Sequence, residues 1–151
     1  MTNAPETITY IARAHVLGGR EAGRAVTEDG LLDLRLSAPK ETGGPGTGTN
    51  PEQLFAIGYG ACFQSAVAAV AQEAGIDASE TAVDAEVAFG PQGPSYAFAV
   101  TLTARIPGVD EATAQDLVER AHEICPYSRA VRGNVPVTVR GVVAREADEM
   151  P

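Results

Sequence analysis

The residues whose chemistry is easiest to name are two thiols, Cys62 and Cys125, the only cysteines in the chain. A thiolate is a nucleophile and a metal ligand. In a reducing compartment a permanent structural disulfide is disfavoured, so a bond between the two would be transient, catalytic or redox-sensing. The bland alternative is a pair of buried, inert thiols acting as small hydrophobes. Cys62 is expected about eleven positions into a helix, beyond the reach of the N-terminal dipole. Apolar surroundings there raise a thiol above its free pKa of about 8.5, so activity requires a cation brought from elsewhere in the fold. Cys125 falls at the C-terminal end of a helix, where the dipole opposes a thiolate, with Arg129 and Arg132 close in sequence. If one cysteine attacks first, Cys62 with an imported Arg is the better candidate, and Cys125 fits the resolving role. A metal site competes: His122 and Cys125 have acceptable ligand spacing, and Cys62 could add a third ligand. Against it, the chain has no CxxC and only one other histidine, His15, on an expected strand. His122 reads as a solvated residue on the polar face of its helix.

The elements that must position these thiols emerge from patterning. Residues 8–16 and 24–36 carry strand-like apolar residues around the turn signal Glu28-Asp29-Gly30, which predicts a hairpin with Leu32, Leu34 and Leu36 on one face. Ser37 to Asn50 is a long loop rich in Gly, Pro and Thr, functional or mobile. Asn50-Pro51-Glu52-Gln53 starts a helix, with Asn as N-cap, Pro in the first position and an acid in the first turn. That helix runs to about Gly75, apolar nearly all round, and is expected to be the buried centre of the fold. Val83 to Phe89 alternates as a half-buried strand. The segment from Gly90 to Pro94 turns the chain, and a second strand places Tyr96, Phe98, Val100, Leu102, Ala104 and Ile106 on one face. A helix from Asp110 to Ile124 comes next, ended by Pro126, and Val135, Val137 and Val139 suggest a last strand. The order ββ-α-ββ-α-β predicts an α+β domain with an antiparallel sheet.

Length and charge narrow the task. The 151 residues fit one domain, residues 1–151, with no internal repeat; 44% hydrophobic residues suffice for a core and exclude general disorder. Eleven Lys and Arg against twenty Asp and Glu leave a net charge of -9, which repels phosphate backbones and argues against nucleic acid as a partner. No apolar run is expected to approach the roughly 20 residues that span a bilayer, so no membrane partner is expected. The start Met1-Thr2-Asn3-Ala4-Pro5-Glu6 lacks the basic and apolar stretches of a secretory signal, making a cytoplasmic location the expectation.

Five motifs then occur in register: Gly18-Gly19-Arg20, the run from Asn50 to Phe55, Gly58-Tyr59-Gly60-Ala61-Cys62-Phe63, Cys125-Pro126-Tyr127-Ser128 and Arg132-Gly133-Asn134. Together they closely resemble the organic hydroperoxide resistance proteins of the OsmC/Ohr superfamily, over roughly Tyr10 to Val143. The Gln-Leu-Phe and Cys-Pro-Tyr-Ser details favour that branch over the osmotically induced one. The resemblance implies a thiol peroxidase of the OsmC/Ohr-like fold, an intertwined homodimer that reduces organic and fatty-acid hydroperoxides to alcohols. It implies that Cys62 attacks the peroxide and becomes a sulfenic acid, and that Cys125 closes a disulfide with it. A lipoyl dithiol, as dihydrolipoamide or on a lipoylated protein, would be the reductant, with no metal and no bound organic cofactor. It also implies an activating Arg at Arg20, oriented by Glu52. Phe55, Tyr59 and Phe63 would offer apolar surface to a bulky hydroperoxide.

One departure bears on the site. The family usually has a single residue between Gly-Gly-Arg and the next Gly, whereas this chain reads Gly18-Gly19-Arg20-Glu21-Ala22-Gly23-Arg24. Arg24 therefore stays in play beside Arg20, and Glu21 could compete for the guanidinium. Glu52 and Cys62 also lie ten residues apart on one expected helix, about 15 Å along its axis. Either that helix starts late, or it is broken, or the two residues serve different subunits. Two rival functions remain: a non-catalytic dimer that binds an apolar ligand or a protein, and a hydroperoxide-sensing regulator, which the acidic charge and lack of DNA-binding helices disfavour.

Overall fold

Gly18 and Gly19 take left-handed φ values of 78° and 61°, a region that costs glycine little, and turn the chain sharply between its first two strands. The computed structural model describes residues 4–144. It comprises two compact units, residues 1–51 and 52–151. In the first, β1 (Ala14–Leu17), β2 (Ala22–Thr27) and β3 (Asp33–Ser37) form an antiparallel meander in that order. The expected turn lies between β2 and β3. There Asp29 accepts from the Leu31 amide at 3.0 Å and from the Thr27 hydroxyl at 2.6 Å, while Gly30 takes φ 72°. The expected pair of strands becomes three: residues 8–13 lie outside any strand, and the glycine turn separates β1 from β2. Leu36 is buried and Leu34 half-buried, but Leu32 falls before β3 and is exposed. The Gly-rich loop folds back on β3: the Ser37 amide donates to the Thr49 carbonyl and the Thr49 amide to the Arg35 carbonyl, each at 2.9 Å.

The second unit is built on a helix and a three-stranded sheet. Helix α1 (Pro51–Glu73) starts where the Asn-Pro-Glu signal puts it and continues unbroken for 23 residues. By length and composition it could cross a membrane. This corrects the expectation that no run approaches that length, since Gln64 and Ser65 interrupt the apolar residues too weakly to lower the average. Its Tyr59, Phe63, Val67 and Val70 are instead buried in the core of this unit. Strands β4 (Ala82–Gln92) and β5 (Ser95–Ile106) form a long hairpin, and Gly93 takes φ 56° in its two-residue turn. Gly90 and Pro91, expected in the turn, belong to β4; as an edge strand it tolerates a residue without an N–H. Val100, Leu102, Ala104 and Ile106 alternate into the core as the period of two requires.

Helix α2 (Glu111–Ile124) is capped by Asp110, whose Oδ1 accepts from the Thr113 amide at 2.7 Å. Its Ala114, Leu117, Val118 and Ala121 complete the core. The chain returns through α3 (Pro126–Val131) to β6 (Val137–Val143), which pairs parallel to β5. The antiparallel expectation is corrected here: the α2–α3 crossover brings β6 back in the same direction as β5, as a strand–helix–strand connection does. Gly141 on β6 sits directly against the backbone carbonyl of Ala114. Gly141→Ala would drive a methyl into that backbone, and we expect a loss of about 1–3 kcal/mol, or more, in a denaturant titration.

Candidate active site: a buried cysteine pair

Pro126 decides where Cys125 stands. It disfavours helical backbone at the residue before it and suits the first position of a new helix. Cys125 accordingly takes φ -58° and ψ 123°, closing α2 and opening α3 at once. Its amide still donates to the Ala121 carbonyl, and its own carbonyl accepts from the Arg129 amide, both at 2.9 Å. So held, the fully buried Cys125 points its Sγ at Cys62 on α1, 3.8 Å from that residue's Sγ. Both thiols are free, and Cys62 is half-buried. A disulfide would need them to close by about 1.8 Å, within reach of side-chain rotation and a small backbone shift.

Burial pushes the Cys62 thiol up, and the neighbouring Cys125 adds to the effect; the Tyr127 backbone amide, aimed at the Cys62 sulfur, opposes it. The pair can therefore do redox chemistry geometrically, and a cation beside the raised Cys62 thiol would favour its thiolate.

Three further polar side chains converge on the same junction. Ser128, fully buried on α3, lies 2.9 Å from the Tyr59 hydroxyl and 2.8 Å from Nδ1 of His122. Burial lowers the His122 pKa, and the Arg132 guanidinium lowers it further, with Glu123 opposing. Arg132 donates to the His122 carbonyl at 2.9 Å and pairs with Glu123 at 3.2 Å. The reading of His122 as a solvated surface residue is thus corrected: it is half-buried and committed to Ser128. No group of three metal-ligating side chains occurs among the described residues. Ser128 has no part in the sequence-based site, though the spacing of three on either side of Cys125 is a signal that could find it.

The aromatic residues divide. Phe55 lies edge-on to Tyr59 at 5.8 Å and stacks on Phe98 at 5.6 Å, while Tyr59 stacks on Tyr127 at 5.4 Å. Gly58 leaves room for this: a Cβ there would stand 2.5 Å from the Tyr127 hydroxyl oxygen. Tyr59 and Phe63 are fully buried, and Phe55 is half-buried. Phe63 lies in the core of this unit, and Phe55, Cys62 and Tyr127 pack against that core. Glu52 stands in the first turn of α1, ten residues from Cys62 on a continuous helix, which removes the late-start and broken-helix explanations of their separation. In the first unit, Arg20 lies in the glycine turn between β1 and β2. Arg24 lies on β2, where both its Nε and a terminal nitrogen donate to the Asp33 carboxylate, at 2.7 and 2.5 Å. That pairing raises the Arg24 pKa and lowers that of Asp33.

Comparison with known proteins gives the family. Residues 44–140 match the family described as OsmC-like protein. An organic hydroperoxide resistance protein of Xanthomonas axonopodis pv. citri is 48% identical over 138 residues, covering 90% of this chain and 96% of its own. The crystal structure of OhrB, the organic hydroperoxide resistance protein of Bacillus subtilis, superposes with a TM-score of 0.79 at 40% identity, over 88% of this chain and 98% of that one. One from Elizabethkingia anophelis gives 0.82 at 42% identity, covering 91% and 100%.

Proposed function

This chain belongs to the OsmC-like family and, within it, to the organic hydroperoxide resistance proteins, and from that membership we propose a two-cysteine thiol peroxidase. The observation that carries the reading is the 3.8 Å separation of Cys62 and Cys125 at a junction built to hold them. Cys62 thiolate attacks the distal oxygen of an organic hydroperoxide; the O–O bond breaks, the alkoxide leaves and takes a proton as the alcohol, and Cys62 becomes a sulfenic acid. Cys125 then attacks that sulfur, an S–S bond replaces the S–O bond, and water leaves. A lipoyl dithiol returns both cysteines to thiols by disulfide exchange and becomes the cyclic disulfide. No metal or bound organic cofactor takes part.

The site is completed by a second copy of the chain. Glu52 is about 15 Å from Cys62 along the same helix. The side of α1 that bears Ile57 and Ala61 is exposed, with Ile57 at 69%, as expected of a helix whose remaining face meets a partner. In a homodimer, Arg20 activates Cys62 and Glu52 orients the guanidinium, at least one of the two arriving from the partner. Arg24 is the weaker choice for the activator because it is held by Asp33. Of the three aromatics expected to meet the substrate, Tyr59 and Phe63 are fully buried and have no surface left for a ligand. Half-buried Phe55 keeps that role and favours bulky hydroperoxides over hydrogen peroxide, since apolar surface covered by a ligand contributes about 25 cal/mol per Å². The test is steady-state consumption of cumene hydroperoxide and of hydrogen peroxide, with dihydrolipoamide or thioredoxin as donor. We expect turnover with dihydrolipoamide and a strong preference for the organic substrate. Equal rates for the two peroxides, or turnover with thioredoxin alone, would refute the substrate or the reductant respectively.

A further inference from the structure

The buried polar triplet beside the thiols has a geometry that core packing does not require. On α1, Tyr59 precedes Cys62 by three residues; around the α2–α3 break, His122 and Ser128 stand three residues before and after Cys125. Residues three apart on a helix share a face, so Tyr59 and Cys62 form one edge. Across from them stand Ser128 and Cys125. Tyr59 meets Ser128 at 2.9 Å, and the two sulfurs meet at 3.8 Å. His122 binds Ser128 at 2.8 Å from the other side of the break, so one hydroxyl ties the end of α2 to α3 and both to α1. Ser128 and Tyr59 are fully shielded from solvent, where a hydroxyl without a partner is costly. Tyr59, His122 and Ser128 are therefore a set that must be kept together or abandoned together.

We propose that Ser128, held between His122 and Tyr59, is a positioning residue for the resolving step: it fixes the register of the α2–α3 junction against α1 so that Cys125 meets the Cys62 sulfenic acid. The inference rests on the peroxidase reading above. It concerns only the second chemical step, in which the Cys125 S–H and the Cys62 S–O bonds break and the S–S bond and water form. The first step uses the Cys62 sulfur and the peroxide, whereas the Ser128 hydroxyl is engaged by Tyr59 and His122. Loss of the clamp leaves sulfenic acid formation intact and lets the junction drift, and drifts of about 1 Å in reacting atoms slow such closures severely.

The experiment is rapid-quench mass spectrometry of the full-length protein after one equivalent of cumene hydroperoxide, scoring the Cys62 sulfenic acid by dimedone trapping and the disulfide by thiol alkylation. Ser128→Ala is expected to form sulfenic acid within about threefold of the wild-type rate and to close the disulfide at least about tenfold more slowly. His122→Leu is expected to behave the same way. His122→Asn, which keeps a polar atom near the Nδ1 position, is expected to close at close to the wild-type rate and guards against a variant that merely folds badly. Equal slowing of both steps would show a general structural role and overturn the proposal, as would unimpaired closure in Ser128→Ala. If the wild-type protein itself forms no disulfide, the peroxidase reading falls and this inference with it; normal wild-type closure with normal Ser128→Ala closure removes the inference alone.

Discussion

Cys62→Ser is expected to consume no organic hydroperoxide, in turnover or in a single stoichiometric encounter, a loss of at least about a thousandfold. The reason is positional. Cys62 is half-buried and receives the Tyr127 amide on its sulfur. Cys125 has none of its surface open and is confined to the helix break. Of the two, only Cys62 keeps surface that a peroxide could meet. Cys125→Ser is expected to retain one turnover and to accumulate an added oxygen on Cys62, which then oxidises further. The measurement is peptide mass spectrometry after one equivalent of peroxide. A fast first turnover in Cys62→Ser, or no oxygen on Cys62 in Cys125→Ser, would reverse the assignment.

On the proposed reading, in which Glu52 orients the activating guanidinium, Glu52→Ala is expected to lower the rate of peroxide attack by about a hundredfold. The sharper expectation concerns mixtures. Each Cys62→Ser subunit keeps an intact Glu52, and each Glu52→Ala subunit keeps an intact Cys62. In a heterodimer whose sites are shared across a twofold axis, one of the two sites is complete, and about half of wild-type activity returns. The continuous α1 underlies this expectation, since a Glu side chain does not bridge ten helical residues. Verified heterodimers without activity would place Glu52 and Cys62 in the same chain's site.

Where local physics suffices, the sequence is readable. The start of α1 is legible in Asn50-Pro51-Glu52, the cap of α2 in Asp110, and the buried face of β5 in strict alternation between Val100 and Ile106. The parts that escape depend on distant residues. β6 pairs parallel to β5 only because α2 and α3 carry the chain across, and Pro126, which reads as a stop, is equally a start. The Arg24–Asp33 pair needs the β2–β3 register before its two members can be seen to meet. His122 is misleading in sequence because its partner Ser128 lies beyond the helix break and leaves no periodic trace in α2. The pairing of Cys62 with Cys125 is implied by family resemblance; the geometry adds the helix break that presents one sulfur to the other.

The central claim is that Cys62 and Cys125 are joined by reaction with an organic hydroperoxide. Its most direct measurement is a thiol titration, with peptide mapping, before and after a small excess of cumene hydroperoxide under anaerobic conditions. The account predicts rapid loss of both thiols in each chain and a single linked peptide pair containing Cys62 and Cys125. Retention of both thiols, or loss of both without that linked pair, would contradict it.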